Sequence, residues 1–210
     1  MTITIFGASG TVGKELILHC QAKGYKVRAF GRNVEDLIDE DLRDDNFKAI
    51  KGSVFDAGDV LKAVTGTDAV LTALGGNVDG TDVTRSLGMK NIIAQMKKAG
   101  VKRIVGLGNR GVLNADENTF LIDTPDYPSE YLAVGHEHLK AYEYLAASDL
   151  DWTFVCPPDI LPKAADGHLV TREDYPTDGN SINAGNLALF MVQEITNNQF
   201  LHHRVGISNS

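Results

Sequence analysis

Short apolar, β-branched runs alternate along this chain with longer stretches of helical period. Thr2–Phe6 reads as a strand and Val12–Lys23 as the helix that follows it. The alternation then repeats. Lys26–Phe30 is followed by a helical Val34–Leu42 with Asn33 at its N-cap, and Phe47–Lys51 by Asp56–Val64. Ala69–Ala73 precedes a helix over Thr84–Ala99, whose expected buried stripe is Leu87, Ile92, Ile93 and Met96. Arg103–Leu107 predicts a fifth strand, Ser129–Ala147 a long helix and Trp152–Cys156 a sixth strand. Asn183–Thr196 predicts a last helix and Arg204–Ile207 a closing strand. Strands this short and this apolar are buried on both faces, which requires helices above and below a parallel sheet. The expected fold is therefore α/β: one Rossmann-type, doubly wound parallel sheet in a three-layer αβα sandwich spanning residues 1–210.

Two stretches carry no clear period, Gly111–Pro128 and Pro157–Ser181. Each follows a strand on the carboxyl edge of the sheet, where open α/β sheets bind their ligands. Long loops in a compact fold are commonly functional, so both are read as substrate loops.

The first strand runs directly into Gly7-Ala-Ser-Gly10-Thr-Val-Gly13, and that segment opens a helix. The placement gives the spacing its meaning. Gly7 suits a sharp turn off the strand, Gly10 lets a diphosphate approach the backbone, and Gly13 allows close helix–sheet packing. Free N–H groups and the positive end of the helix dipole would face the phosphates. Ser9, Thr11 and Val12 are expected to add donors. Later strand ends contribute further cofactor contacts in this reading: Ser53 and Val54 at the adenine edge, and Leu74, Gly75, Gly76 and Asn77 beside the ribose and second phosphate.

The residues after the second strand bear on which dinucleotide binds. An acid at the strand end would accept from the ribose 2′-hydroxyl and repel a 2′-phosphate. Here the strand ends Phe30-Gly31-Arg32-Asn33. Arg32 can bind a phosphate bidentately and Asn33 can add an amide hydrogen bond, so NADP(H) is expected. Glu35 and Asp36 nearby leave NAD(H) open.

Composition narrows the function classes. Twenty Lys and Arg against 28 Asp and Glu give a net charge of −8, which argues against nonspecific nucleic-acid binding. Cys20 and Cys156 form no Cys-x-x-Cys pair, and adjacent His202 and His203 in a strand would point to opposite faces, so no metal site is expected. No apolar run reaches about 18 residues, and no basic leader precedes the first strand. The expectation is a cytoplasmic monomer or small homo-oligomer with a small-molecule partner, away from membranes.

Together the Gly-Ala-Ser-Gly-Thr-Val-Gly loop, Arg32, Ala73-Leu-Gly-Gly76 and Trp152-Thr-Phe-Val-Cys-Pro-Pro158 carry a resemblance. The sequence resembles the atypical short-chain dehydrogenase/reductases of the NAD(P)H-binding, NmrA-like kind. Within these it is most similar to the biliverdin-IXβ reductase and NADPH-dependent flavin reductase group. The resemblance implies hydride transfer from NADPH to a flavin, quinone or other conjugated acceptor. The alternative it allows is an NmrA-like redox sensor that binds a partner protein without catalysis.

The Tyr-x-x-x-Lys pair of typical short-chain dehydrogenases is missing, since Tyr131 is followed four residues later by Gly135. The nearest arrangement is His136 and Lys140, at i and i+4 on one helix face. His136 is the expected proton donor, with Lys140 beside it. Asn109, after the fifth strand, is expected to bond a substrate carbonyl or the nicotinamide, near Pro157. His138, on another face, is expected to pack partly in the core.

Overall fold

The computed structural model describes every residue except Asp39 and Val78, and every side chain of the remainder except those of Asp36, Leu37 and Asp41. The chain runs β1 (Thr2–Phe6), α1 (Thr11–Ala22), β2 (Lys26–Gly31), α2 (Val34–Leu37), β3 (Phe47–Lys51), α3 (Ala57–Val64), β4 (Ala69–Thr72), α4 (Thr84–Ala99) and β5 (Arg103–Leu107). It continues β6 (Asn114–Asp116), β7 (Thr119–Phe120), α5 (Leu132–Ala146), β8 (Asp151–Cys156), β9 (Asp159–Leu161), β10 (Leu169–Glu173), β11 (Ser181–Asn183), α6 (Ala184–Asn197) and β12 (His203–Asn209).

Eight strands form one sheet in the order β10-β12-β8-β5-β4-β1-β2-β3. All neighbours pair parallel except β10, which runs antiparallel to β12 at the edge. Alternation along each strand splits the core in two. Ile3 and Ile5 of β1, Val105 of β5 and Val155 of β8 face α1 and α6. Phe6, Ile104, Phe154 and Cys156 face the layer of α3, α4 and α5. This is the doubly wound α/β fold that the alternating pattern predicts.

The chain crosses from β1 to β2 on one side and returns to β4 on the other. The two loops leaving β1 and β4 therefore diverge at the carboxyl edge and open a crevice between them.

Several expectations change in the folded chain. The helix expected over Val34–Leu42 is one short helix, α2, plus a 3-10 turn at Glu40–Leu42, and Asp39 within it lies outside the described residues. Asn33 precedes α2 but its side chain makes no capping bond. Leu87 does not join the buried stripe of α4. It is 42% exposed, and the stripe is Arg85, Met89, Ile92, Ile93 and Met96, the i, i+4, i+7, i+8 and i+11 positions. The segment before α5 is a 3-10 turn over Ser129–Tyr131. The two aperiodic stretches hold structure of their own. Gly111–Pro128 carries the β6–β7 hairpin, and Pro157–Ser181 carries β9, β10 and the start of β11, which pairs with β9.

Candidate active site

The glycine loop takes its shape from steric necessity. Gly7 has φ +80, where L side chains are strained, and a Cβ there would overlap the carbonyl group of Ala73 at the end of β4. A Cβ on Gly13 would overlap the Gly7 carbonyl oxygen and stand 2.7 Å from Ala8 Cα. Gly10 differs: a Cβ there would meet only the Gly7 oxygen, at 3.5 Å, so the loop is open above it. The Gly10 N–H closes the turn onto Gly7 O at 3.1 Å. Helix α1 then starts at Thr11 with no side-chain cap and no acid in its first turn. Its leading N–H groups and dipole are left to an external anion, which is the condition for cradling a diphosphate.

Above this loop lies a cleft of about 450 Å³. Gly10, Thr11, Val12 and Gly13 form one side, and Ala73, Leu74 and Gly75 after β4 form the next. Leu107, Gly108 and Asn109 after β5, with Pro157, Pro158, Ile160 and Pro162 after β8, close the far end. Arg85 of α4 and His138 of α5 complete the wall. They are the only ionisable side chains among the described lining residues.

Of the residues singled out in the sequence, Gly10, Thr11, Val12, Gly13, Leu74, Gly75, Asn109 and Pro157 border the cleft. Gly7 and half-buried Ser9 lie in the loop beneath it. Gly76 and Asn77 sit beyond the lining, where Arg85 holds them: its guanidinium donates to Gly76 O at 3.0 Å and to Asn77 O at 3.1 Å. Ser53 and Val54 follow β3, outside the cleft, with the Val54 carbonyl accepting from Asn91. Arg32 and Asn33 are exposed at the end of β2. The side chain of Asp36 lies outside the described residues.

The expected His136–Lys140 pair does not face the cleft. Both residues are exposed on α5, and Lys140 Nζ reaches Glu137 Oε1 at 3.3 Å instead. Glu137 is buried and also accepts from Ser86 Oγ at 2.6 Å, so α5 turns its acid inward between α4 and itself. Two residues after His136, about 200° around the helix, His138 reaches the cleft wall. His138 is buried, and its Nδ1 has no partner among the described residues. Burial, and secondarily the Arg85 charge, pushes its pKa down to about 3. It is a neutral imidazole at neutral pH, a hydrogen-bonding group and not a stored proton.

Asn109 sits where the sequence places it, at the end of β5. Its Nδ2 donates to Tyr127 Oη at 3.4 Å, and its Oδ1 is buried without a partner among the described residues. Tyr127 comes from the Gly111–Pro128 stretch, so that segment reaches the site through one hydrogen bond and supplies no lining residue. Burial raises the Tyr127 pKa. Arg85 is the residue that sequence reasoning missed. The available signal was its place at the head of the apolar stripe of α4, where a cation is out of pattern.

A larger groove of about 750 Å³ runs along β2, β3 and α3, lined by Arg28, Lys48, Lys51 and Lys62 among others. It lies on the edge strand, where lysines commonly guard unpaired backbone, and holds none of the glycine-loop groups. A trio of Glu173, Asp174 and His203 could offer metal ligands, but His203 Nδ1 already pairs with Asp174 at 2.8 Å.

The chain is 29% identical over 167 residues to the uncharacterized protein YwnB of Bacillus subtilis (strain 168), covering 78% of this chain and 75% of that one. A crystal structure of a "putative exported protein" from Burkholderia pseudomallei superposes with TM-score 0.83 at 29% identity, covering 99% of both chains. That of a "putative NADH-flavin reductase" from Streptococcus pneumoniae superposes with TM-score 0.83 at 24% identity over the whole of both chains. The family described as NAD(P)H-binding matches residues 7–198, nearly the entire length, and the chain belongs to it.

Proposed function

We propose that this protein is an NADPH-dependent reductase that passes hydride to a conjugated small-molecule acceptor such as a flavin or quinone. Gly10, Thr11, Val12 and Gly13 would hold the diphosphate, and Leu74 and Gly75 the adjoining ribose. Arg32, exposed at the end of β2 with no acid on the strand end, would meet a 2′-phosphate. When bound, the dinucleotide supplies the hydride. The chain's own residues bind it, orient it and shape the space in front of it.

The observation that carries this reading is the make-up of the cleft. It joins an uncapped helix N-terminus to a wall of Pro157, Pro158 and Ile160, and its described lining holds no group able to give up a proton at neutral pH. An enzyme reducing a simple ketone needs such a donor. A flavin or quinone does not, because its reduced form carries the negative charge over a conjugated system and takes its proton from solvent. The name borne by the Streptococcus pneumoniae protein agrees with the flavin acceptor, while it gives the donor as NADH.

The same lack of a proton donor favours a second reading, a redox sensor of the NmrA-like kind that binds the dinucleotide and a partner protein. Steady-state oxidation of NADPH with FMN, riboflavin and menadione separates the two. Saturable turnover well above the uncatalysed rate supports the reductase. Tight NADPH binding with no turnover on any of the three supports the sensor.

Among the described residues no helix is long and apolar enough to cross a membrane. Cys20 and Cys156 are buried free thiols, in keeping with a reducing compartment.

A further inference from the structure

Among the described residues seven buried side-chain polar atoms lack a hydrogen-bond partner, and three of them belong to residues of one cleft. Arg85 Nε on α4, Asn109 Oδ1 after β5 and His138 Nδ1 on α5 are all buried, and none has a hydrogen-bond partner. All three residues border the same cleft. Buried polar groups in folded proteins are nearly always paired, and an unpaired one is costly, so a cluster of them points to a missing partner.

The charge balance says what kind of partner. Arg85 is nine-tenths buried, and burial lowers its pKa. Among the described residues no carboxylate lies within ion-pair distance of its guanidinium. Among the described residues it bonds the neutral carbonyls of Gly76 and Asn77 alone. Asp82 and Glu137 stand further off, and both are engaged elsewhere. Asp82 accepts from the N–H groups of Asn77 and Thr84, and Glu137 from Ser86 and Lys140. The neighbouring His138 adds no negative charge. The wall thus holds a desolvated cation, offset only through space by the charges of Asp82 and Glu137, beside a neutral imidazole.

We propose that Arg85 and His138 form an oxyanion subsite, which selects acceptors carrying an anionic oxygen on or beside a planar ring. This rests on the reductase reading for the word acceptor. The subsite itself rests on the unpaired atoms. The guanidinium supplies the charge, and the imidazole supplies a neutral N–H donor. Because His138 stays neutral, the subsite keeps the same charge across the physiological range. Apolar Pro157, Pro158 and Ile160 would cover the ring, and the two polar side chains would read its oxygen.

The probe is benzoate, with the isosteric neutral benzamide as control, titrated calorimetrically into protein saturated with NADP+. Benzoate should bind about tenfold or more tightly than benzamide, as a charge-assisted contact requires. Arg85→Gln should abolish the preference. Since Arg85 also holds the Gly76–Asn77 loop, a second measurement keeps the test independent of folding. With histidine labelled at both ring nitrogens, benzoate should shift the His138 resonances of the wild-type protein while leaving the ring neutral.

Equal affinity for the two probes would overturn the proposal, as would unmoved His138 signals. Tight benzoate binding to the nucleotide-free protein that disappears once NADP+ is bound would also overturn it, because the cation would then serve the cofactor's own phosphates. These results do not depend on turnover. A protein that bound benzoate as expected but never oxidised NADPH would refute the reductase reading and leave the subsite standing.

Discussion

Gly13 stands so close to the Gly7 carbonyl that no side chain fits between the first turn of α1 and the loop leaving β1. This contact fixes the height of the helix above the sheet and so aims its N-terminus at the cleft. Gly13→Ala should therefore lower stability by about 1–3 kcal/mol, the usual cost of overpacking a tight core. Gly10→Ala, whose Cβ meets the Gly7 oxygen at an ordinary 3.5 Å, should cost far less. Urea unfolding of both variants checks the contrast, and equal losses would contradict it.

Arg32 is exposed, so its contact with a 2′-phosphate would be screened by solvent. Arg32→Ala should weaken NADPH binding by roughly fivefold, or about 1 kcal/mol, and leave NADH binding nearly unchanged. Calorimetric titration with both nucleotides measures this. Equal weakening of the two would remove the preference for NADP(H).

The His138 ring is held neutral in the fold, at about 3 against an ordinary 6.5. Between these values the unfolded chain binds a proton that the folded chain does not. The stability this ring contributes is therefore fully present above about pH 6.5 and is lost as the pH falls toward 3. At about pH 4 the loss is on the order of 3 kcal/mol. His138→Gln removes that proton uptake, so its stability should fall less steeply than wild type between about pH 6.5 and 4. Parallel curves by urea unfolding would contradict the neutral-ring assignment.

Arg103 and Glu194 form a buried ion pair at 3.3 Å that ties β5 to α6. Glu194 Oε1 also accepts from Thr153 Oγ1 and from the backbone N–H of Phe200. Glu194→Ala removes the carboxylate paired with this buried guanidinium, leaving it Thr153 Oγ1, backbone carbonyls and the more remote charge of Asp151, and should cost about 3 kcal/mol. A loss below about 1 kcal/mol in urea unfolding would show that the remaining neutral partners suffice to hold the charge.

The sheet was legible because its central strands are short apolar runs, such as Ile3-Thr-Ile-Phe6 and Trp152-Thr-Phe-Val-Cys156, with helices of clear period between them. β10 was not, because Leu169-Val-Thr-Arg-Glu173 is a half-exposed edge strand whose pairing with β12 is set by tertiary contact. Strands of three residues such as β9 and β11 are too short to show a period. At the site, the glycine loop could be read because its spacing carries its own mechanics. The histidine assignment could not, because matching His136 and Lys140 to a Tyr-x-x-x-Lys spacing presumes which face of α5 points inward. Only the packing of Glu137 against Ser86, and of His138 beside Arg85, decides that face.

The central claim is that the open backbone at Gly10 and the uncapped start of α1 grip a pyridine dinucleotide. Isothermal titration of the wild-type protein with NADPH, NADP+ and NADH tests it directly. One saturable site per chain, tightest for NADPH and lost in Gly13→Ala, is the predicted result. No detectable heat or competition for any of the three nucleotides would contradict the account.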